Sequence, residues 1–171
     1  EALAGDEALS ERDESHQLEL MAAEGSAEAQ YKLGRALSEQ QDAPEGLVEA
    51  RRLLGLAAEQ GHVEAQFLLG VICWQAEVHV EARRLFGLAA AQGHLNSQIR
   101  LGLMCKKGHG GPEDAVEARR LWGLAAARGD AEAMYLLSIL YYNGQGGPKD
   151  LAEARWVLGL AVEQENTQAF A

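Results

Sequence analysis

The stretch RRLFGLAAAQG, residues 83–93, recurs as RRLLGLAAEQG at 51–61, as RRLWGLAAARG at 119–129 and, more weakly, as RWVLGLAVEQE at 155–165. Each copy has the apolar spacing of an amphipathic helix, and each carries a glycine at its centre: Gly55, Gly87, Gly123 and Gly159. A glycine inside a helix costs about 1 kcal/mol relative to alanine, so four at one position need a reason. Aligned on the residue that ends each motif (Gly25, Gly61, Gly93, Gly129, with Glu165 in the fifth place), the copies lie 36, 32, 36 and 36 residues apart. Internal repetition of this length decides the fold.

After each ending glycine comes a second helical stretch: SAEAQYKLGRAL, HVEAQFLLGVIC, HLNSQIRLGLMC and DAEAMYLLSILY. A loop comes next, then the next EARRL-type helix. The glycines suit helix C-termini, where a left-handed residue is wanted. Asp114 and Asp150 precede their helices as N-caps, with Glu117 and Glu153 three residues on, the spacing of a capping box. Ser26, Asp130 and Asn166 are placed to cap the second helix type. A helix–turn–helix of this size cannot bury its apolar face alone, so the units must stack.

Composition agrees with helix throughout. The chain has 171 residues, 47% of them hydrophobic, with only three prolines, and Ala, Leu and Glu dominate over β-branched residues. The longest apolar run, around Leu136–Tyr142, is far too short for a membrane span. A net charge of −11 argues against a nucleic-acid partner, which needs a basic face, and suits a basic protein partner. Residues 1–14 concentrate that charge, with six acids against one arginine.

At these residues the chain resembles the Sel1-like repeat family, relatives of tetratricopeptide repeats. The family pattern is Ala-x-x-x-Leu-Gly-x-x-Tyr, a Gly-x-Gly loop, Asp, and a helix ending Ala-Ala-x-x-Gly. It is read in SQIRLGLMCKKGHGGPEDAVEARRLWGLAAARG and in AMYLLSILYYNGQGGPKDLAEARWVLGLAVEQE. The resemblance implies an all-α, right-handed α-solenoid of about four helix–turn–helix repeats, at 26–61, 62–93, 94–129 and 130–165. An acidic segment and capping helix precede them at 1–25, and the stub of a further helix comes after them at 166–171. The second unit departs from the pattern: it lacks four loop residues and has Val78 where the Asp cap stands, so its turn must be tighter.

On the second helix type, Ala65, Leu69, Ile72 and Cys73 form one face, while the opposite face carries Phe67, Val71 and Trp74. A helix apolar on both sides is either buried or presents a binding surface. The resemblance implies the latter, because in the family these helices line a concave groove. Tyr31, Phe67, Ile99 and Tyr135 then form a column, beside Arg35, Val71, Leu103 and Ile139, with Trp74, Lys106 and Tyr142 further along. Such a groove takes a protein or peptide, with aromatic residues as anchors.

Other features read as structural. Arg51, Arg83, Arg119 and Arg155, with Arg52, Arg84 and Arg120, read as a solvated face with Glu49–Arg52, Glu81–Arg84 and Glu117–Arg120 paired. GHGGP (108–112) and GQGGP (144–148) come after helices and lack a GKS/T ending, so they are turns and not phosphate loops. Cys73 and Cys105 form no CxxC or zinc spacing. They sit on successive stacked helices, about 8–10 Å apart at their axes, which favours buried thiols over a disulfide. No GxSxG or SxxK places a serine nucleophile, and no catalytic residue, metal or cofactor is expected.

The expected function is therefore a non-catalytic adaptor or scaffold, a monomer that holds a protein partner. The alternative, implied by the resemblance, is a bacterial immunity protein that neutralises a secreted toxin such as a type VI secretion phospholipase effector. The resemblance also favours a periplasmic or secreted location over a cytoplasmic one. The mid-helix glycine fits a packing role: Leu56, Leu88, Leu124 or Leu160 of one EARRL helix is expected to fill the notch left by the glycine of its neighbour, so that Gly87→Ala destabilises.

Overall fold

The computed structural model describes residues 15–39 and 44–169; the acidic stretch 1–14 lies outside them. The described residues are helical, with no strand among them: α1 (15–23), α2 (Ala27–Glu39), α3 (Pro44–Glu59), α4 (Val63–Gln75), α5 (His79–Ala91), α6 (Leu95–Lys107), α7 (Ala115–Ala126), α8 (Ala131–Asn143) and α9 (Leu151–Ala169). They fall into two compact units, residues 1–72 and 73–171. The EARRL-type helices are α3, α5, α7 and α9.

In the first unit α2 packs on α3. Ala50, Leu53, Leu54 and Ala57, the face given by helical spacing, are all buried. Close approach depends on Gly34, where an added Cβ would stand 2.9 Å from Leu54 Cγ and 3.2 Å from the Ala50 carbonyl oxygen. Two buried glutamines then satisfy the carbonyls that a helix end leaves open. Gln30 Nε2 donates to Ala22 O, and Gln66 Nε2 to Ala58 O, each at 3.1 Å. Ser26 Oγ accepts from Ala29 N–H at 3.3 Å. His62 Nδ1 likewise accepts from Ala65 N–H at 3.3 Å. This assigns the neutral ring's proton to Nε2, which donates to Glu28 Oε2 at 3.0 Å. The His62 hydrogen bond, with a second from Lys32, holds the Glu28 carboxyl below the usual carboxylate range.

In the second unit each helix from α5 to α9 packs on the next. Leu85, Phe86, Met104, Leu121, Trp122 and Leu140 are fully buried. Trp122 lies against Gly102, where a Cβ would overlap the indole, and its Nε1 donates to Ile99 O at 3.2 Å. Gln98 repeats the glutamine contact by donating to Ala90 O at 3.4 Å. His94 caps α6 through Nδ1, Asp114 caps α7, Asp130 caps α8 and Asp150 caps α9. The shortened turn before α5 runs through 76–78, with Glu77 left-handed at φ 59° and Val78 making no side-chain cap.

The glycine loops are structural. Gly110 and Gly146 have φ near 70° and press on the start of an earlier helix, where a Cβ would overlap the carbonyl oxygens of His79 and Ala115. Arginine holds each loop down. Arg83 Nη1 donates to Pro112 O at 3.0 Å and His109 O at 3.4 Å, and Arg119 Nη1 to Pro148 O at 3.4 Å. The Arg119 guanidinium also lies 4.0 Å from the Tyr141 ring centroid. Cys73 and Cys105 are buried and form no disulfide among the described residues. Burial pushes the Cys105 thiol up, opposed by Arg83, whose Nη2 is 3.4 Å from Sγ.

Four sequence expectations are corrected. First, among the described residues nothing beyond the helix's own backbone and the adjacent residues stands within 4 Å of a Cβ built at Gly55, Gly87, Gly123 or Gly159, and Leu56, Leu88 and Leu124 are exposed. The notch lies instead on the other helix type, at Gly34 and Gly102, and is filled from within the same repeat; nothing among the described residues explains the four EARRL glycines. Second, Arg83 and Arg119 are half-buried and hydrogen-bonded to the glycine loops, although Arg52, Arg84 and Arg120 do pair with Glu49, Glu81 and Glu117 as expected. Third, the capping box at Asp114 is only half made. Glu117 turns to Arg120, and the Asp114 N–H goes to Cys105 O at 2.8 Å. Fourth, with Glu165 in place of the terminating glycine, α9 runs on to Ala169. Residues 166–169 thus extend α9, and Asn166 opens no new helix.

Gly87→Ala should therefore raise stability, by up to about 1 kcal/mol, whereas Gly102→Ala should lower it by about 1–3 kcal/mol through overpacking; denaturant melts read both. The Glu28 carboxyl, depressed in the folded state, contributes stability above its unfolded pKa and loses it as pH falls through the folded value. Melts of wild type and Glu28→Gln across a pH series should differ slightly at neutral pH and converge in acid, the effect being small because Glu28 is exposed.

Candidate functional site

Tyr31, Arg35, Phe67 and Val71 belong to the first unit. Tyr31 is half-buried, its ring stacked on His62 at 4.6 Å between centroids. Arg35 is exposed, with its guanidinium 6.0 Å from the same ring and an ion pair to Glu39. Phe67 and Val71 are half-buried on α4.

In the second unit the expected residues separate into buried, half-buried and exposed. Ile99 is only 5% exposed and packs with Ala125 and Ala133, so it offers no surface to a partner. The expected column is interrupted there, because α8 covers that face of α6. Trp74 is half-buried, its ring 4.6 Å from His79 and 5.2 Å from His109, and these two imidazoles stack on each other at 5.4 Å. With Leu103, Phe86, Met104 and Arg100 it lines a shallow cleft of about 80 Å³. Lys106 is half-buried at the end of α6.

The last repeat is different. Tyr135 and Tyr142 are 53% and 59% exposed, large values for aromatic residues. With Ile139 they line an apolar cleft of about 360 Å³, within the range of ligand clefts (about 300–1,000 Å³). Lys149 Nζ stands 5.2 Å from the Tyr142 ring centroid. The opposite wall is built by Leu151, Ala154, Arg155 and Leu158 of α9, none of which the groove pattern identified. The signal was present in the repeat itself: Leu158 occupies the register of Leu54 and Trp122, residues that elsewhere are covered.

Chemically this cleft buries apolar side chains and presents one guanidinium to a hydrogen-bond acceptor. Among the described residues no group of three or more His, Cys, Asp or Glu could hold a metal, and no helix is long and apolar enough to cross a membrane.

The Sel1 repeat family matches residues 27–62, 63–94, 95–130 and 131–166. Among solved structures, the chain is similar to c5321, a protective antigen of uropathogenic Escherichia coli strains displaying an SLR fold. The two are 29% identical with a TM-score of 0.80, over 90% of this chain and 34% of that one. A Sel1 repeat protein from Oxalobacter formigenes is 25% identical with a TM-score of 0.78, over 88% of this chain and 63% of that one. The chain thus spans about a third and under two-thirds of those two lengths. MamA, 19% identical with a TM-score of 0.63 over 89% of this chain and 85% of that one, shares the fold. No curated protein matches the chain. Four consecutive repeats over most of its length make the chain a member of the Sel1 repeat family, an all-α solenoid.

Proposed function

We propose that this chain is a non-catalytic adaptor that holds a protein or peptide partner on the exposed faces of its LG-type helices. Sel1 repeat proteins generally mediate protein–protein interaction, and the fold supplies surface rather than chemistry. The observation that carries the reading is the apolar cleft at Tyr135, Ile139 and Tyr142, whose two tyrosines are more than half exposed. Tyrosines of this kind supply much contact area at low entropic cost and dominate the energetics of many interfaces. The Trp74–Leu103 cleft is the secondary contact.

Retention of partners from native lysate by the immobilised full chain tests this, comparing wild type with a Tyr135→Ala/Tyr142→Ala double variant. Both rings are largely exposed, so the variant should melt like wild type. Retention of the specific partner should fall at least about tenfold, the loss expected when one interface anchor is removed. Unchanged retention defeats the reading. A single cognate enzyme among the retained proteins would identify a dedicated inhibitor, and several partners an adaptor.

A further inference from the structure

The chain carries 26 acidic residues, yet none falls in residues 82–112, which hold five Lys or Arg. Two of the five are engaged locally: Arg83 holds the glycine loop and Arg84 pairs with Glu81. The other three, Arg100, Lys106 and Lys107, lie on α6, the one helix among those described that has no Asp or Glu.

The missing acid has a definite place. Asn96 is the third-repeat equivalent of Glu28, Glu64 and Glu132, the first-turn acids of α2, α4 and α8. A glutamate there favours the helix through its dipole. In α2 it also pairs with a cation one turn on, Glu28 Oε1 standing 3.1 Å from Lys32 Nζ. Arg100 occupies the place of Lys32. The third repeat thus keeps the cation and replaces its in-helix carboxylate by a neutral amide, forgoing both stabilising interactions. Lys106 and Lys107 suit the negative end of a helix, whereas Arg100, in the first half of α6, has no such reason.

Arg100 is exposed and lines the cleft of about 80 Å³ with Trp74, Phe86, Leu103 and Met104. Lys107, also exposed, comes four residues after Leu103 and seven after Arg100, on the same helix face. A cleft of this volume takes one apolar side chain, being far below the roughly 300–1,000 Å³ of small-molecule sites. The Trp74 ring is held against the imidazoles of His79 and His109, and a wall fixed before the guest arrives lowers the cost of binding. The cleft is built by α4, α5 and α6; α7, α8 and α9 are all in place and leave it open.

We propose that this face binds an acidic segment of a partner protein, with one apolar side chain in the Trp74–Leu103 cleft and flanking carboxylates on Arg100 and Lys107. The proposal rests on reading that cleft as a contact for a protein partner. It makes the partner's chemistry there acidic, the opposite of what the net charge alone suits, because a local field follows the charges around the cleft and not the total.

The test selects binders from a random dodecapeptide library on the immobilised full chain and measures the selected sequences by fluorescence anisotropy. Enrichment is expected for peptides in which a bulky apolar residue is flanked by at least two Asp or Glu. Their affinity should fall about five- to tenfold for Arg100→Gln/Lys107→Gln and severalfold between about 50 and 300 mM salt. Asn96→Glu should weaken binding by a similar factor while leaving the melt unchanged or raised, which a purely structural role of this position does not produce. Arg52→Gln, which removes one cation from α3, should bind as wild type. All four positions are exposed, so unchanged helicity should certify the variants. The proposal is overturned by no saturable binding, by enrichment of neutral or basic peptides, or by indifference to the double variant or to Asn96→Glu. Equal binding of a single-stranded oligonucleotide overturns it in favour of a general polyanion site. A peptide copying residues 1–14 that outcompetes every selected sequence overturns it in favour of the chain's own acidic segment. If selection fails while Tyr135→Ala/Tyr142→Ala still loses its lysate partner, the adaptor reading stands and this one falls; if that variant also retains its partner, both fall.

Discussion

In the first and third repeats, how closely the EARRL helix approaches the LG helix of its own repeat depends on one missing methyl group. At Gly34 and Gly102 the absence of a Cβ lets Leu54 and Trp122 enter the space a side chain would fill. Interiors pack at crystal-like density, and a single added carbon there forces neighbours to move. Trp122 depends on that closeness. Its ring is buried, its N–H reaches the Ile99 carbonyl, and a cluster from α5 to α9 assembles around it.

Between repeats the connection is polar as much as apolar. An arginine on one EARRL helix holds the glycine loop at the end of the next LG helix, at Arg83 with 109–112 and at Arg119 with Pro148. Buried glutamines reach back across the turn to the last carbonyls of the preceding helix, at Gln30, Gln66 and Gln98. These bonds satisfy groups that a helix end would otherwise bury unpaired. At Arg155 no loop is received among the described residues, and Leu151, Leu158 and Val162 on the same helix are exposed.

Much of the fold was legible because repetition multiplies weak signals. One LG pair or one Asp-x-x-Glu means little, whereas three LG pairs and two such caps, held in register by a fourfold repeat, define helices, caps and turns. The site was legible only in part. Tyr135 and Tyr142 stand exposed, but Ile99, identical in register to Tyr135, is buried because another helix covers it. Periodicity gives the face on which a residue lies and says nothing about what sits on that face. The same limit hid the roles of Arg83 and Arg119, which share a register with Arg155 and differ from it in having a loop above them. It also misplaced the tight contact, since both helix types carry a mid-helix glycine and only packing distinguishes the filled notch from the open one.

The sequence by itself determined the helical class, the repeat length, the caps at Ser26, Asp114, Asp130 and Asp150 and the burial of faces such as Ala50, Leu53, Leu54 and Ala57, because these arise from local hydrogen bonding and 3.6-residue spacing. Only the tertiary structure decided which equivalent residues are covered and which remain open. That depends on whether a neighbouring helix arrives, and equal registers receive unequal neighbours: Trp122 lies beneath α8, while Leu158, with the same spacing on its own helix, faces an unfilled cleft.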